Sequence, residues 1–467
     1  MTDQKDPIET SDDIHEDVGD LKTVREQVKA ALDAGDEQTL IDLLDPLPRS
    51  AALRQLLALD ADDRDQLLRI LPVEVAAELV EEAPYEAATD LVERMEAGRA
   101  AEILDELSSD LQADLIGGIE LAGAEAILAK FDPEDADDVR RLAEYDDETA
   151  GGLMVAEAFS FPDTATVGSV LRGMVSDDDD FERYRGQHPY VVDADNHPVG
   201  VVSLRGLLTA KRSEKLNSIM VAPLTVGVAT TLDELQDLFD EHNFLGLPVV
   251  EEDGSLVGVV SRSAVDAAAL ERSESESLKR QGVVGDEVRA MPLWLRSRRR
   301  LAWLSANIVL NIIAASVISA YEETLAAVIA IAVFLPMVSD MSGCSGNQAV
   351  GVTMRELSLG IVQPKDAFRV WVKEISVGVI NGLALGVLIG IVCWIWKGNP
   401  WLGVVIGTAL AINTMIAVSI GGVVPLLLKK LNQDPAAASG PLLTTITDMA
   451  GFFLVLSMAS LMMPLLL

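Results

Sequence analysis

Apolar and polar positions change rhythm twice along the chain. From about Leu53 to Ala129, short apolar units recur as VAAELV (75–80), AATDLV (87–92), RAAEIL (99–104) and QADLIG (112–117), starting roughly 12 residues apart. That interval suits a right-handed stack of short helices of the repeat kind, each burying one face on its neighbours. From about Thr149 to Asp266, β-like runs alternate with helical ones. There YVVDADNHPVGVVSLRGLL (190–208) and LPVVEEDGSLVGVVSRSAV (247–265) read alike: apolar strand, acidic turn, VG, VV, then Ser and a helix start. A duplicated α/β module is the economical prediction. After Arg300 the apolar runs lengthen to about 301–320, 325–350, 369–396, 401–428 and 441–467, each near or above the ~20 residues a membrane-spanning helix needs.

These rhythms predict a multidomain protein. An acidic start (1–25), expected to be disordered, precedes an all-α superhelical N-terminal domain (26–135) and an α/β pair of repeated modules (136–266). A connecting helix (267–299) then leads to an all-α five-helix transmembrane domain (300–467). The start, MTDQKDPIETSDDIHED, has no apolar core and does not read as a secretory signal. Basic residues assign the sides of the membrane. Arg296, Arg298, Arg299 and Arg300 precede the first run, Arg355, Lys365 and Arg369 fall between the second and third, and Lys429 and Lys430 follow the fourth. By the positive-inside rule these connectors are cytoplasmic, which puts the soluble half inside and the C-terminus outside.

Charge sharpens the division. Only 11 of the 36 basic and 8 of the 74 acidic residues lie from Met291 onward, so the part up to Ala290 carries a net charge of −41 and the rest +3. Such acidity argues against nucleic acid as a partner, because phosphate binding needs clustered Lys and Arg. It leaves two readings open, cation binding by carboxylates and a solvated surface suited to a salty cytoplasm. The two cysteines, Cys344 and Cys393, lie in apolar stretches and offer neither a disulfide framework nor a CxxC metal site.

Within the last run, one ionisable side chain, Asp448, sits at membrane depth, where a carboxylate costs roughly 2.5–3.5 kcal/mol on insertion scales and normally faces a partner, a cavity or a pore. Thr444 and Thr445 stand at i−4 and i−3 from it on the same helical face. A neighbouring Asn381 or Asn413 satisfying the carboxylate is the structural alternative. The second run ends in PMVSDMSGCSGNQAVGVTMREL (336–357), with Gly343, Gly346, Asn347 and Gln348 together. Small residues there allow close helix approach, whereas the amides need partners or water. Gly343-Cys344-Ser345-Gly346 is not GxSxG, and His15, His188, His197 and His242 all lie in the soluble half, so no base is at hand for Ser345 and no enzyme is expected.

The duplicated module resembles a tandem pair of cystathionine-β-synthase-type (CBS) domains. In that family a Ser/Thr-x-x-Asp holds a nucleotide's ribose. Here the tetrads are Ser203-Leu204-Arg205-Gly206 and Ser261-Arg262-Ser263-Ala264, both without the aspartate, which argues against nucleotide binding. Together with SGCSGNQ and DPAAASGPLLTTITD (434–448), the order helical repeat, CBS pair, five spans resembles the MgtE family of magnesium channels and transporters. The resemblance implies Mg2+ as the moved ion and as regulator, and a multi-pass protein in the lipid of a prokaryotic-type cell membrane. It also implies a homodimer with a pore lined by the second and fifth spans, Asp448 as the ion-selecting carboxylate, and Thr444, Thr445, Gly440 and Asn347 lining that pore. Gating by cytoplasmic Mg2+ would bridge Glu271, Glu274, Glu276 and Asp286 to Asp90, Glu93, Asp137 and Asp138, although Ser263 and Ala264 stand where an acidic pair is expected. A carrier of Mn2+ or Co2+ and a non-conducting membrane-anchored sensor remain as alternatives.

Overall fold

From Glu37 to Leu142 the chain begins a new helix every 12 residues, at Glu37, Arg49, Ala61, Val73, Tyr85, Ala97, Ser109, Leu121 and Pro133. In the computed structural model, residues 24–173, 188–283, 287, 289, 291–431 and 433–467 are described. The acidic start lies almost wholly outside them, and so does Asp286. The chain divides into two units, the first running to Arg272 and the second taking Ser273–Glu287 and Pro292–Leu467.

The 12-residue period arises because each unit supplies a start, a two-sided apolar stripe and a stop. Asp36 and Asp60 cap their helices by accepting the backbone N–H three residues on. Pro48, Pro72 and Pro84 stand immediately before three others, where a missing N–H costs nothing. The stripe places Ala76, Ala77, Leu79 and Val80 inside, then Ala100, Ala101, Ile103 and Leu104 two helices later, an i, i+1, i+3, i+4 pattern that faces one side. From Arg49 onward each helix packs on the next but one, Val73–Glu81 on Ala97–Asp105 and Tyr85–Arg94 on Ser109–Gly118, so successive helices alternate between two layers. The array runs past the expected boundary at 135, because Pro133–Leu142 keeps the phase and buries Ala136, Val139 and Leu142.

The repeated module has the predicted internal symmetry. Strands β1 (Met154–Val155), β5 (Val226–Gly227), β6 (Gly246–Val250) and β7 (Leu256–Ser261) form one sheet in the order β1-β7-β6-β5. Strands β2 (Ser160–Pro162), β3 (Tyr190–Val192) and β4 (Pro198–Val201) form the other in sequence order. β2 pairs β3 in parallel and β3 pairs β4 antiparallel with a register shift at Val191/Val192; β5, β6 and β7 repeat this with a shift at Val249/Val250. Both hairpins turn on a left-handed residue at the equivalent place, Asn196 (φ 61) and Gly254 (φ 86), the residue types that tolerate it. The helix after β7, Arg262–Arg280, continues without a break, so the connecting element expected from 267 starts instead inside the second repeat.

In the second unit, five helices are long and apolar enough to cross a membrane: Leu293–Ala320, Ile329–Ser358, Pro364–Lys397, Pro400–Lys430 and Ser439–Leu461. Three bounds differ from expectation. The first helix starts at Leu293, so Arg296 to Arg299 belong to the spanning helix itself and not to the connecting helix expected before it. The second opens with a 3-10 turn, Ile329–Val333, and its helix Leu335–Ser358 carries the Gly343–Gln348 stretch in its middle rather than at its end. The fifth belongs to a helix that begins at Pro435 and takes Pro441 into its interior. Glycine brings the third and fourth spans close, since a Cβ on Gly386 would lie 2.5 Å from the Gly407 carbonyl oxygen and one on Gly382 2.6 Å from that of Ala411.

Candidate functional site

The second and fifth spans touch, with Gly346 against Leu443, but leave an opening along one side. Between them lies a cavity of about 580 Å3. Its wall takes Pro336, Ser339, Asp340, Gly343 and Asn347 from the second span and Thr444, Asp448 and Phe452 from the fifth, with Ile318 of the first span completing one side. Both sets repeat at three and four residues, as one face of a helix must. Of the residues expected at the pore, Asn347, Thr444 and Asp448 line this cavity. Thr445 and Gly440 do not line it.

Asp448 is half-buried and accepts a hydrogen bond from the Ser339 hydroxyl. Asn413 is not its partner: the Asn413 amide donates to the Thr447 carbonyl at 3.1 Å, one residue earlier. Thr444 and Thr445 donate their hydroxyls to Gly440 O (3.0 Å) and Pro441 O (2.8 Å) in their own helix, which leaves their oxygens free only as acceptors. The cavity thus presents carboxylate, hydroxyl and amide oxygens, the donor set of a hard cation. Gly343 lines this space, whereas Gly346 is a packing residue, since a Cβ there would meet Leu443 and the Ala417 carbonyl. Ser345 is buried within a continuous helix, which removes the nucleophile-turn reading.

Sequence reading missed Ser339 and Asp340. Asp340 carried the same signal as Asp448, an ionisable residue inside an apolar run, but stood within a motif read for its glycines and amides.

In the first unit, the expected sensor carboxylates scatter. Asp137 pairs with Arg140 at 3.1 Å and Asp138 with Arg141 at 2.7 Å. Asp138 also lines a small cavity with Asp105, Asp135 and Glu157. Glu271 acts on Asp114, as do Asp110 and Asp147; with burial as the larger cause, they push the Asp114 carboxyl up to about 7. Among the described residues, Asp90 and Glu93 join no such group. Among the described residues, the set of three whose ligand atoms lie within 4.8 Å of one another is Asp193, Asp195 and His197, none of them an expected site. In the two CBS-type turns, Ser203 and Ser261 accept from the N–H of Gly206 and Ala264, each at 3.0 Å, and so act as helix caps.

Spanning helices, a duplicated CBS module and a largely apolar cavity that holds two carboxylates define a class, the multi-pass membrane protein with a CBS pair attached. Family models agree along most of the chain: "Divalent cation transporter" matches residues 335–458, "MgtE intracellular N domain" 47–148, and "CBS domain" 150–213 and 216–271. The magnesium transporter MgtE of Thermus thermophilus is 33% identical over 448 residues, covering 93% of this chain and 98% of the relative. That of Bacillus subtilis is 28% identical over 426 residues, covering 91% and 93%. The chain belongs to the MgtE family. Among solved structures, the cytosolic domain of the Mg2+ channel MgtE in complex with ATP is 29% identical, covering 52% of this chain and 99% of that one at a TM-score of 0.46.

Proposed function

We propose that this protein moves Mg2+ across the membrane and that Asp448 is the carboxylate that captures the ion. The convergence of Asp448, Asp340, Asn347 and Thr444 on one cavity between the second and fifth spans carries the reading. Mg2+ dehydrates reluctantly and is held through its waters by one or two carboxylates, so a roomy space with a few oxygens in a largely apolar wall suits it better than a tight cage. A homodimer about a twofold axis would set two Asp448 side chains opposite each other and form a small ring of charge. The basic connectors orient the soluble half to the cytoplasm and the C-terminus outward. The test is Mg2+ flux into liposomes: Asp448→Ala and Asp448→Asn fold and dimerise but do not conduct. Wild-type flux from either variant overturns the assignment.

The acidic half supports regulation by the same ion, because divalent cations relieve repulsion among its carboxylates. Glu271, Glu274, Glu276, Asp137 and Asp138, with Asp90 and Glu93, are the bridging candidates. In limited proteolysis across a Mg2+ titration, residues 267–291 become protected by Mg2+ but not by monovalent salt at matched ionic strength, since screening acts through ionic strength and bridging through ion identity. Equal protection by both salts retires the sensor. Nucleotide affinity is weak, because Gly206 and Ala264 replace ribose-binding aspartates; low-micromolar ATP binding in calorimetry contradicts this.

A further inference from the structure

Asn413 lies in the middle of the fourth span and is fully buried. Its Nδ2 donates to the Thr447 carbonyl at 3.1 Å, while its Oδ1 is buried with no partner among the described residues. An amide with an unused acceptor at membrane depth is a costly way to fill space, and leucine, with the same heavy-atom branching, would avoid that penalty. The fifth span is cut to receive it. A Cβ on Gly451 would lie 2.8 Å from Asn413 Nδ2, so glycine leaves the approach to the Thr447 carbonyl open. A helical carbonyl keeps a second lone pair, so it takes this bond without giving up its place in the helix.

Consecutive residues in a helix are about 100° apart. Holding Thr447 toward the fourth span therefore turns Asp448 away from it, to the side where Ser339 and the cavity lie. We propose that Asn413 is a positioning residue for ion permeation, which fixes the rotation of the fifth span through the Thr447 carbonyl so that Asp448 faces the ion path. The inference rests on the reading of Asp448 as the ion-capturing carboxylate.

The test compares Asn413→Leu, Gly451→Ala and their double variant with Asp448→Asn in liposome flux, measured against Mg2+ concentration and with Ca2+ as competitor. Asn413→Leu raises the Mg2+ concentration for half-maximal flux about fivefold, the factor carried by one net hydrogen bond, and weakens discrimination against Ca2+. Gly451→Ala, which closes the approach from the other helix, gives the same shift, and the double variant adds nothing further. A purely structural role would lower the amount of folded dimer and the maximal flux but leave half-saturation and discrimination alone. If Asn413→Leu is not recovered from membranes, Gly451→Ala reads the same contact by itself. Unchanged half-saturation and discrimination, with flux lost in Asp448→Asn, overturn the positioning role alone. Wild-type flux in Asp448→Asn overturns the ion-site reading and this inference with it.

Discussion

Two helix pairs in the membrane unit are packed on opposite principles. The third and fourth spans meet through glycine and alanine, with Gly386 against Gly407 and Gly382 against Ala411 at backbone distance. The second and fifth spans also touch, through Gly346 on Leu443 and Ser339 on Asp448, but they leave the 580 Å3 cavity along one side and point several oxygen-bearing side chains into it. In hydrocarbon, close backbone approach is a main source of helix association, so the first pair reads as a scaffold. Polar groups there need partners or water, so a gap lined by Asp340, Asn347, Thr444 and Asp448 has a use other than cohesion.

The largest effect comes from Asp448. Its replacement by Ala removes Mg2+ flux altogether, while dimer content and melting temperature stay near wild type, because Asp448 faces a cavity and does not fill a packed core. Next is Gly407→Leu on the other pair, which forces the third and fourth spans apart at a cost of about 3 kcal/mol. Lower yield and a lower melting temperature follow, and whatever protein folds keeps the ion rank order of wild type. A changed rank order would mean that the two pairs are not separate in function.

The smallest effect contrasts a buried carboxylate outside the membrane. Asp114 titrates near 7 in the folded chain, well above its unfolded value near 3.9, with burial as the main cause. Between those values the folded state holds a proton that the unfolded chain has released. Stability therefore rises as pH falls from 7 toward 4, by at most about 1.4 kcal/mol per pH unit, and the penalty is full above 7. Melting followed from pH 7.5 to 5 should show that gain in wild type and a flatter curve in Asp114→Asn; parallel curves would refute it.

Much of this was legible from residues alone. The 12-residue phase, the duplicated hairpins and the five apolar runs each follow from local periodicity, and Asp448 stood out because a lone carboxylate is rare in such a run. What periodicity could not supply was the partner of each group. Ser339 lies 109 positions from Asp448 and meets it only through helix packing. The burial that shifts Asp114 is likewise a property of neighbours distant in sequence. Asp340 was the exception, readable but passed over. Helix ends moved where a regular phase outran a composition boundary, as at Leu142, or where proline stood inside a helix, as at Pro441.

The N-terminal array can change length one helix at a time. In each unit from Arg49 to Leu128 the residues six and seven places after the helix start are buried, as Leu67 and Leu68, Leu79 and Val80, or Ile103 and Leu104, so each helix offers its neighbours the same face. Removing one 12-residue unit would therefore move every later helix back by one equivalent step and leave the core continuous. A deletion that is not a multiple of 12 would instead rotate the inward face of the helix it cuts and break the stack.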